Sequence, residues 1–246
     1  MKDVGVLFLA GGFGTRIAKF YPNTPKALLE ISDDKRLLDF LIDKVRNELL
    51  NSRINLISNE KYYSSFNGLG INVVNNKVTS NEERLGSIGD ILYFLDQEKP
   101  ESDLVVIGTD NYFEEDLSKI VGGENVKIMA YDCGDLELAR KYGTVILNEE
   151  GNVLEFDEKP VIARTSLVST MIYYIPESKL DLFNKFRDDN PDLLDRAGNF
   201  LMYLNSLGET IEVLVTKKNW FDIGSIEELD RLRETVGEKQ LIKEMR

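Results

Sequence analysis

The residues best suited to chemistry in this chain are glycines, basic side chains and aspartates in a set order. Gly11, Gly12, Gly14, Arg16 and Lys26 fall within the stretch LAGGFGTRIAKFYPNTPKALLEI, and Asp110, Lys159 and Asp222 follow. A glycine-rich turn lets several backbone N–H groups face one anion, because glycine tolerates unusual dihedrals and puts no side chain in the way. Arg16 offers a planar fork of donors to phosphate oxygens, and Lys26 a mobile point charge. Pro22 and Pro25 stiffen the return of the chain toward the loop. Spacing excludes two other phosphate motifs: G-x-G-x-x-G would need a glycine at Ile17, and GxxxxGK[ST] a glycine at Arg16. What remains, GGxGTR followed ten residues after Arg16 by Lys26 in a TPK context, reads as a loop that holds a triphosphate.

Asp110 closes the apolar stretch DLVVIGTDN, and Asp222 sits in the aromatic segment NWFDIGS. Singly, each fits a turn or helix cap as well as a metal ligand. Converging on one divalent ion, they would let it bridge an α-phosphate and an attacking oxygen. Composition narrows the metal. The chain has no histidine and one cysteine, Cys133, which excludes His-ligated metals, imidazole acid–base catalysis, internal disulfides and cysteine-built zinc sites. Oxygen ligands alone point to a hard ion such as Mg²⁺. A net charge of -13 argues against a general nucleic-acid surface, so an anionic ligand must meet a local cluster of positive charge. No 18-residue apolar stretch is present, and a cytoplasmic protein without a membrane partner is expected.

Positioning these residues requires an α/β frame. DVGVLFL, RINLIS, INVVN, DLVVIGTDN and NVKIMAYD read as strands, and RLLDFLIDKVRNELL and IGDILYFLDQ as amphipathic helices between them. This alternation predicts a Rossmann-like, mostly parallel sheet with helices on both faces and ligands beyond the carboxyl ends of the strands. The loop after residue 10 is expected to pass from strand to helix. The second half adds antiparallel pairing: YGTVILNEEGNVLEFDEKP reads as two strands joined by a turn at Asn148 to Gly151, and TSLVSTMIYYIP as a third. Helical patterns follow at Glu177 to Arg187 and Leu193 to Leu207, then the strands TIEVLVT and NWFDIGS and a helix from Ser225, with Glu228 completing a capping box. We expect one domain over residues 1–236, with a nucleotide-binding half (1–131) and a sugar-binding half (132–236), followed by a charged tail (237–246) that frays.

LAGGFGTR with TPKALLEI resembles the signature of sugar-phosphate nucleotidylyltransferases, which join a nucleoside triphosphate to a sugar 1-phosphate and release pyrophosphate. RLGSIGDI, IGTDN, YGTV, DEKP and WFDIGS extend the likeness along the chain, and it is nearest to glucose-1-phosphate thymidylyltransferases. The resemblance implies nucleotide contacts from Leu9, Gly11, Gly12, Gly14, Thr15, Arg16 and Lys26, and base contacts from Asn81 and Gly86. It implies sugar and sugar-phosphate contacts from Gly143, Glu158, Lys159, Thr170 and Tyr173, and metal binding by Asp110 and Asp222. Arg16, Lys26, Asp110, Lys159 and Asp222 would then carry the reaction, with dTTP or UTP and glucose 1-phosphate as substrates and a homo-oligomer compatible with the family. The chain departs from the pattern in three places. Thr109 separates Gly108 from Asp110, Ala27 stands where a proline is usual, and Asn81 stands where thymidylyltransferases carry a base-reading glutamine. A mannose-1-phosphate guanylyltransferase, a glucose-1-phosphate uridylyltransferase and a non-catalytic nucleotide-sugar sensor are the alternatives.

Overall fold

The computed structural model describes residues 4–244, with side chains described through 239. The elements run β1 (Val4–Ala10), β2 (Glu30–Ser32), β3 (Lys35–Arg36), α1 (Leu37–Glu48), β4 (Arg53–Ser58), α2 (Glu60–Tyr63), β5 (Asn72–Asn75), α3 (Gly86–Glu98), β6 (Asp103–Gly108) and β7 (Asn111–Phe113). They continue with β8 (Val126–Asp132), α4 (Leu136–Ala139), β9 (Gly143–Leu147), β10 (Val153–Glu158), β11 (Leu167–Ile175), α5 (Leu182–Asp189), α6 (Ala197–Ser206), β12 (Ile211–Thr216), β13 (Trp220–Asp222) and α7 (Ile226–Glu244).

Nine strands form one sheet in the order β10-β9-β11-β6-β1-β4-β5, with β8 on β11 and β12 on β8. β6, β1, β4 and β5 are mutually parallel, as are β8 and β12. β11 runs antiparallel to β6, β8 and β9. The sheet is buried on both faces, so its central strands read as continuous apolar runs. Alternate residues serve different cores. Val6, Phe8, Val105 and Ile107 pack with Leu37 and Leu41 of α1 and Leu229 and Leu232 of α7, whereas Leu7, Leu104 and Val106 pack with Ile88 and Ile91 of α3, Phe183 of α5 and Phe200 of α6.

One local expectation is corrected. The glycine loop does not enter a helix directly. Ile17 and Ala18 donate to the Gly14 carbonyl in a one-turn structure, followed by a short 3₁₀ turn at Lys26–Leu28 and the β2–β3 hairpin before α1 begins. Pro22 and Pro25 in this stretch explain why no regular helix forms there. At the other end, α7 takes in part of the charged tail, running in helical form as far as Glu244. The last two positions of that tail, like Asp3 of DVGVLFL and the two residues before it, lie outside the described residues. Glu228 donates its N–H to Ser225 Oγ at 3.3 Å, the N-cap half of the expected capping box.

The bulge in β11 matters most for the site. Ser169 faces Ala130 and Tyr173 faces Ile128, so four steps along β11 match two along β8. Met171 takes up the slack with φ +57, and Thr170 Oγ1 donates to the Met129 carbonyl at 2.9 Å. Such bulges re-aim side chains at the edge of a site.

Candidate active site

The carboxyl ends of β1 and β6 and the start of α3 open onto a cavity of about 510 Å³, whose far wall comes from β9, β10, β11 and the start of α6. Its lining includes Leu9, Gly11, Gly12, Arg16, Gly86 and Asp110 on the parallel side, Asp222 from β13, and Gly143, Glu158, Lys159, Thr170 and Tyr173 on the antiparallel side. Of the residues singled out in the sequence, Gly14, Thr15, Lys26 and Asn81 are not in the wall. Lys26 still joins the site, because its Nζ donates to Asp110 Oδ2 at 3.3 Å. Asn81 lies in the turn before α3, where its carbonyl accepts from the Arg84 backbone N–H and from Nη1.

The glycine loop is held from below. Asn59, the N-cap of α2, accepts from the Tyr62 N–H and donates through Nδ2 to the Gly11 carbonyl at 2.9 Å. The loop is thus fixed by a buried amide that the sequence motif does not contain. Arg16 turns toward β13: a Cβ on Gly224 would lie 3.4 Å from Arg16 Nη1.

The two aspartates are brought together by pairing β13 with β7. Asp222 stands opposite Asn111, and the Ile223 N–H donates to the Asp110 carbonyl at 2.7 Å. Trp220 Nε1 donates to Asn111 Oδ1 at 2.8 Å, and Asn111 Nδ2 donates to Asp110 Oδ1 at 3.2 Å. Trp220 therefore orients Asp110 through Asn111. Thr109, the insertion between Gly108 and Asp110, ties the end of β6 to that of β1 through Oγ1 and the Leu9 carbonyl at 2.7 Å. Burial first, and then the charge of Asp110, pushes the Asp222 carboxyl up, while Lys26 and Arg16 pull it down. Two carboxylates that feel each other's charge favour a cation between them. Among the described residues no cluster of three or more His, Cys, Asp or Glu side chains forms a metal cage. A two-carboxylate donor set fits Mg²⁺, which keeps waters and takes substrate phosphates as its remaining ligands.

On the opposite wall, Glu158 stands across from Gly143, and the Lys159 N–H donates to the Tyr142 carbonyl with φ +51. Left-handed backbone at a lysine is costly and clusters at functional sites. Burial pushes Glu158 up, and the neighbouring Lys159 and Arg196 charges offset part of that. Tyr173 is buried, its hydroxyl 3.1 Å from Ser169 Oγ.

Three glycines have reasons that sequence reasoning did not supply. A Cβ on Gly86 would stand 2.2 Å from Asp195 Cα, on Gly143 2.4 Å from Phe156 Cζ, and on Gly11 2.1 Å from Asp90 Oδ2. Each empty position is filled by protein. The sequence reading also passed over Arg196 and Lys141, two further cations of the wall, and the buried Asp90. Arg196 precedes the small pair Ala197–Gly198 at the start of α6, a sequence signal of close approach that could have marked it.

A glycine loop with arginine and lysine, a pair of aspartates and a facing Glu–Lys pair thus stand around one cavity of an α/β fold. The family model described as nucleotidyl transferase matches residues 5–239, and the chain belongs to that family. Its relatives include a D-glycero-alpha-D-manno-heptose 1-phosphate guanylyltransferase of Campylobacter jejuni, 30% identical over 73% of this chain and 78% of that one. A glucose-1-phosphate adenylyltransferase of Bacillus subtilis is 25% identical over 93% of this chain. The chain spans 66% of the length of that relative and 58% of its Thermomicrobium roseum counterpart. A crystal structure from Bacillus anthracis, described as a candidate glucose-1-phosphate thymidylyltransferase in complex with a sucrose, shares the fold with a TM-score of 0.79 at 20% identity, covering 95% of each chain. Among the described residues no helix is long and apolar enough to cross a membrane.

Proposed function

We propose that this chain transfers a nucleotidyl group from a nucleoside triphosphate to a sugar 1-phosphate, releasing pyrophosphate. The observation that supports it is the meeting of Arg16, the Lys26–Asp110 pair and Asp222 with Glu158 and Lys159 around a single cavity. A phosphate oxygen of the sugar 1-phosphate attacks the α-phosphorus, and the bond from that phosphorus to the α–β bridging oxygen breaks. The nucleophile is already an anion, so no general base is needed. The lack of histidine costs nothing, and the work is to hold two anions in line and offset their charge.

In this reading Gly11, Gly12, Gly14 and Thr15 offer backbone to the triphosphate, and Arg16 and Lys26 neutralise it. Lys159 holds the sugar phosphate, and Glu158, Gly143, Thr170 and Tyr173 bound the sugar. Asp110 and Asp222 would hold Mg²⁺, which when bound withdraws charge from the phosphate oxygens. Before substrates enter, Lys26 holds Asp110 in its ion pair. Thymidylyl or uridylyl transfer to glucose 1-phosphate is the finer reading that the sequence resemblance favours. Guanylyl transfer is the second, favoured by the heptose 1-phosphate guanylyltransferase relative. A cytoplasmic setting accompanies either.

Pyrophosphate release is the test, with Mg²⁺, each of GTP, ATP, UTP, CTP and dTTP, and glucose or mannose 1-phosphate. We expect release that requires both substrates and stops with a chelator. Nucleotide binding with no release for any pair would replace this reading with that of a sensor.

A further inference from the structure

Once the loop, the aspartate pair and the Glu158–Lys159 wall are assigned to phosphates, metal and sugar, one part of the cavity remains, between Gly11 and the first turns of α3. Asp90 lines it. This carboxylate is only 6% exposed and has a single protein partner among the described residues, Asn76, whose Nδ2 donates to Oδ1 at 2.7 Å. Asn76 cannot turn its amide around. Its Oδ1 already accepts the Val78 N–H at 2.9 Å, and its backbone N–H is bound to the Ser58 carbonyl. Asp90 is therefore arranged as an acceptor, and Oδ2 has no protein donor among the described residues.

Gly11 makes room for this group, since any side chain there would collide with Oδ2. Among the described residues no fully buried side-chain oxygen or nitrogen lacks a partner, so Oδ2, which has none, is open to the cavity, where a ligand donor can reach it. Burial pushes Asp90 up to about 6, partly offset by the Asn76 amide, so an added donor would stabilise its charged form.

The bases differ in what they present to an acceptor-only group. Uracil and thymine offer one ring N–H flanked by two carbonyl oxygens, which a carboxylate repels. Adenine and cytosine place their amine beside a ring acceptor. Guanine alone sets two donors side by side, the ring N1–H and the 2-amino group, a match for a carboxylate.

We propose that Asp90 is the specificity residue for the base and selects guanine through its N1–H and 2-amino group. This rests on the nucleotidyl-transfer reading above and replaces its pyrimidine form. The conserved shape of Asp90→Asn makes it the variant of choice, and inosine nucleotides, which lack only the 2-amino group, are the matching probe. By calorimetry the unaltered protein should bind GDP about ten-fold or more tightly than IDP, UDP or dTDP, and Asp90→Asn should close most of the gap between GDP and IDP. Equal binding of GDP and IDP by the unaltered protein, a preference for UDP or dTDP, or an unchanged GDP to IDP ratio in Asp90→Asn would each overturn the proposal. If the variant fails to fold, the comparison of GDP with IDP in the unaltered protein still decides it. Failure of the transfer reading shows separately, as the absence of pyrophosphate with every triphosphate, and leaves the binding comparison valid.

Discussion

Each side of the cavity sets one carboxylate beneath a glycine, Asp90 buried and Glu158 half-buried, and the two are supported in different ways. On the parallel side Asp90 lies under Gly11 and receives one neutral amide, Asn76. On the antiparallel side Glu158 lies under Gly198, where a Cβ would fall 2.0 Å from Oε2, and it has Lys159 and Arg196 for neighbours. Burial raises both acids, but only Glu158 has cations nearby to offset it. An acid next to cations can stay charged and serve hydroxyl groups unaided. An acid with one amide waits for donors from a ligand. The same pair of residue types thus does two jobs, set by what stands within reach.

The sharpest break in the comparison is the aspartate pair that lies between the two sides. Asp110→Ala or Asp222→Ala should lower pyrophosphate release by about 10³-fold or more, with circular dichroism unchanged. Near-normal turnover in either variant would take that aspartate out of the mechanism.

The next largest effect tests the buried acids themselves. Asp90 is raised in the folded state, so between about pH 4 and pH 6 the folded protein binds more protons than the unfolded chain. Stability should fall as pH rises through that window, by up to about 3 kcal/mol relative to Asp90→Asn. Glu158→Gln should show the same sign with a smaller amplitude, because Lys159 and Arg196 oppose the shift. Urea unfolding at several pH values reads both, and equal pH slopes for Asp90→Asn and the unaltered protein would mean that burial does not raise Asp90.

Substrate kinetics separate the sides further. Lys159→Ala should raise the KM for sugar 1-phosphate about 10- to 100-fold and leave nucleotide affinity in place, whereas Arg16→Ala should do the reverse. Equal effects on both substrates from either variant would dissolve the division of labour. Least in size is the fit of the glycines. Gly11→Ala should cost about 1–3 kcal/mol by driving a methyl against Asp90, and combining it with Asp90→Ala should recover most of that. Additive losses in the double variant would show that the strain lies elsewhere.

Much of this was legible in the chain itself. RINLIS was read as a strand and is β4 from Arg53 to Ser58, and the turn at Asn148–Gly151 joins β9 to β10 as expected. Apolar runs and turn chemistry are local, and buried parallel strands carry their own period. The Thr109 insertion, by contrast, makes sense only once its hydroxyl is seen to reach Leu9, a hundred residues earlier.

The order of glycine, arginine, lysine and aspartate and the lack of histidine determined from sequence alone the family resemblance and the expected kind of chemistry, since phosphate chemistry depends on residue types at fixed short spacings. Which residues share a wall was decided by strand pairing. β7 with β13 joins positions 110 and 222, the β11 bulge aims Thr170, and α3 carries Asp90 to within reach of Gly11. No spacing along the chain encodes these meetings, because they arise where separate strands end at one edge of a sheet and a glycine leaves room between them.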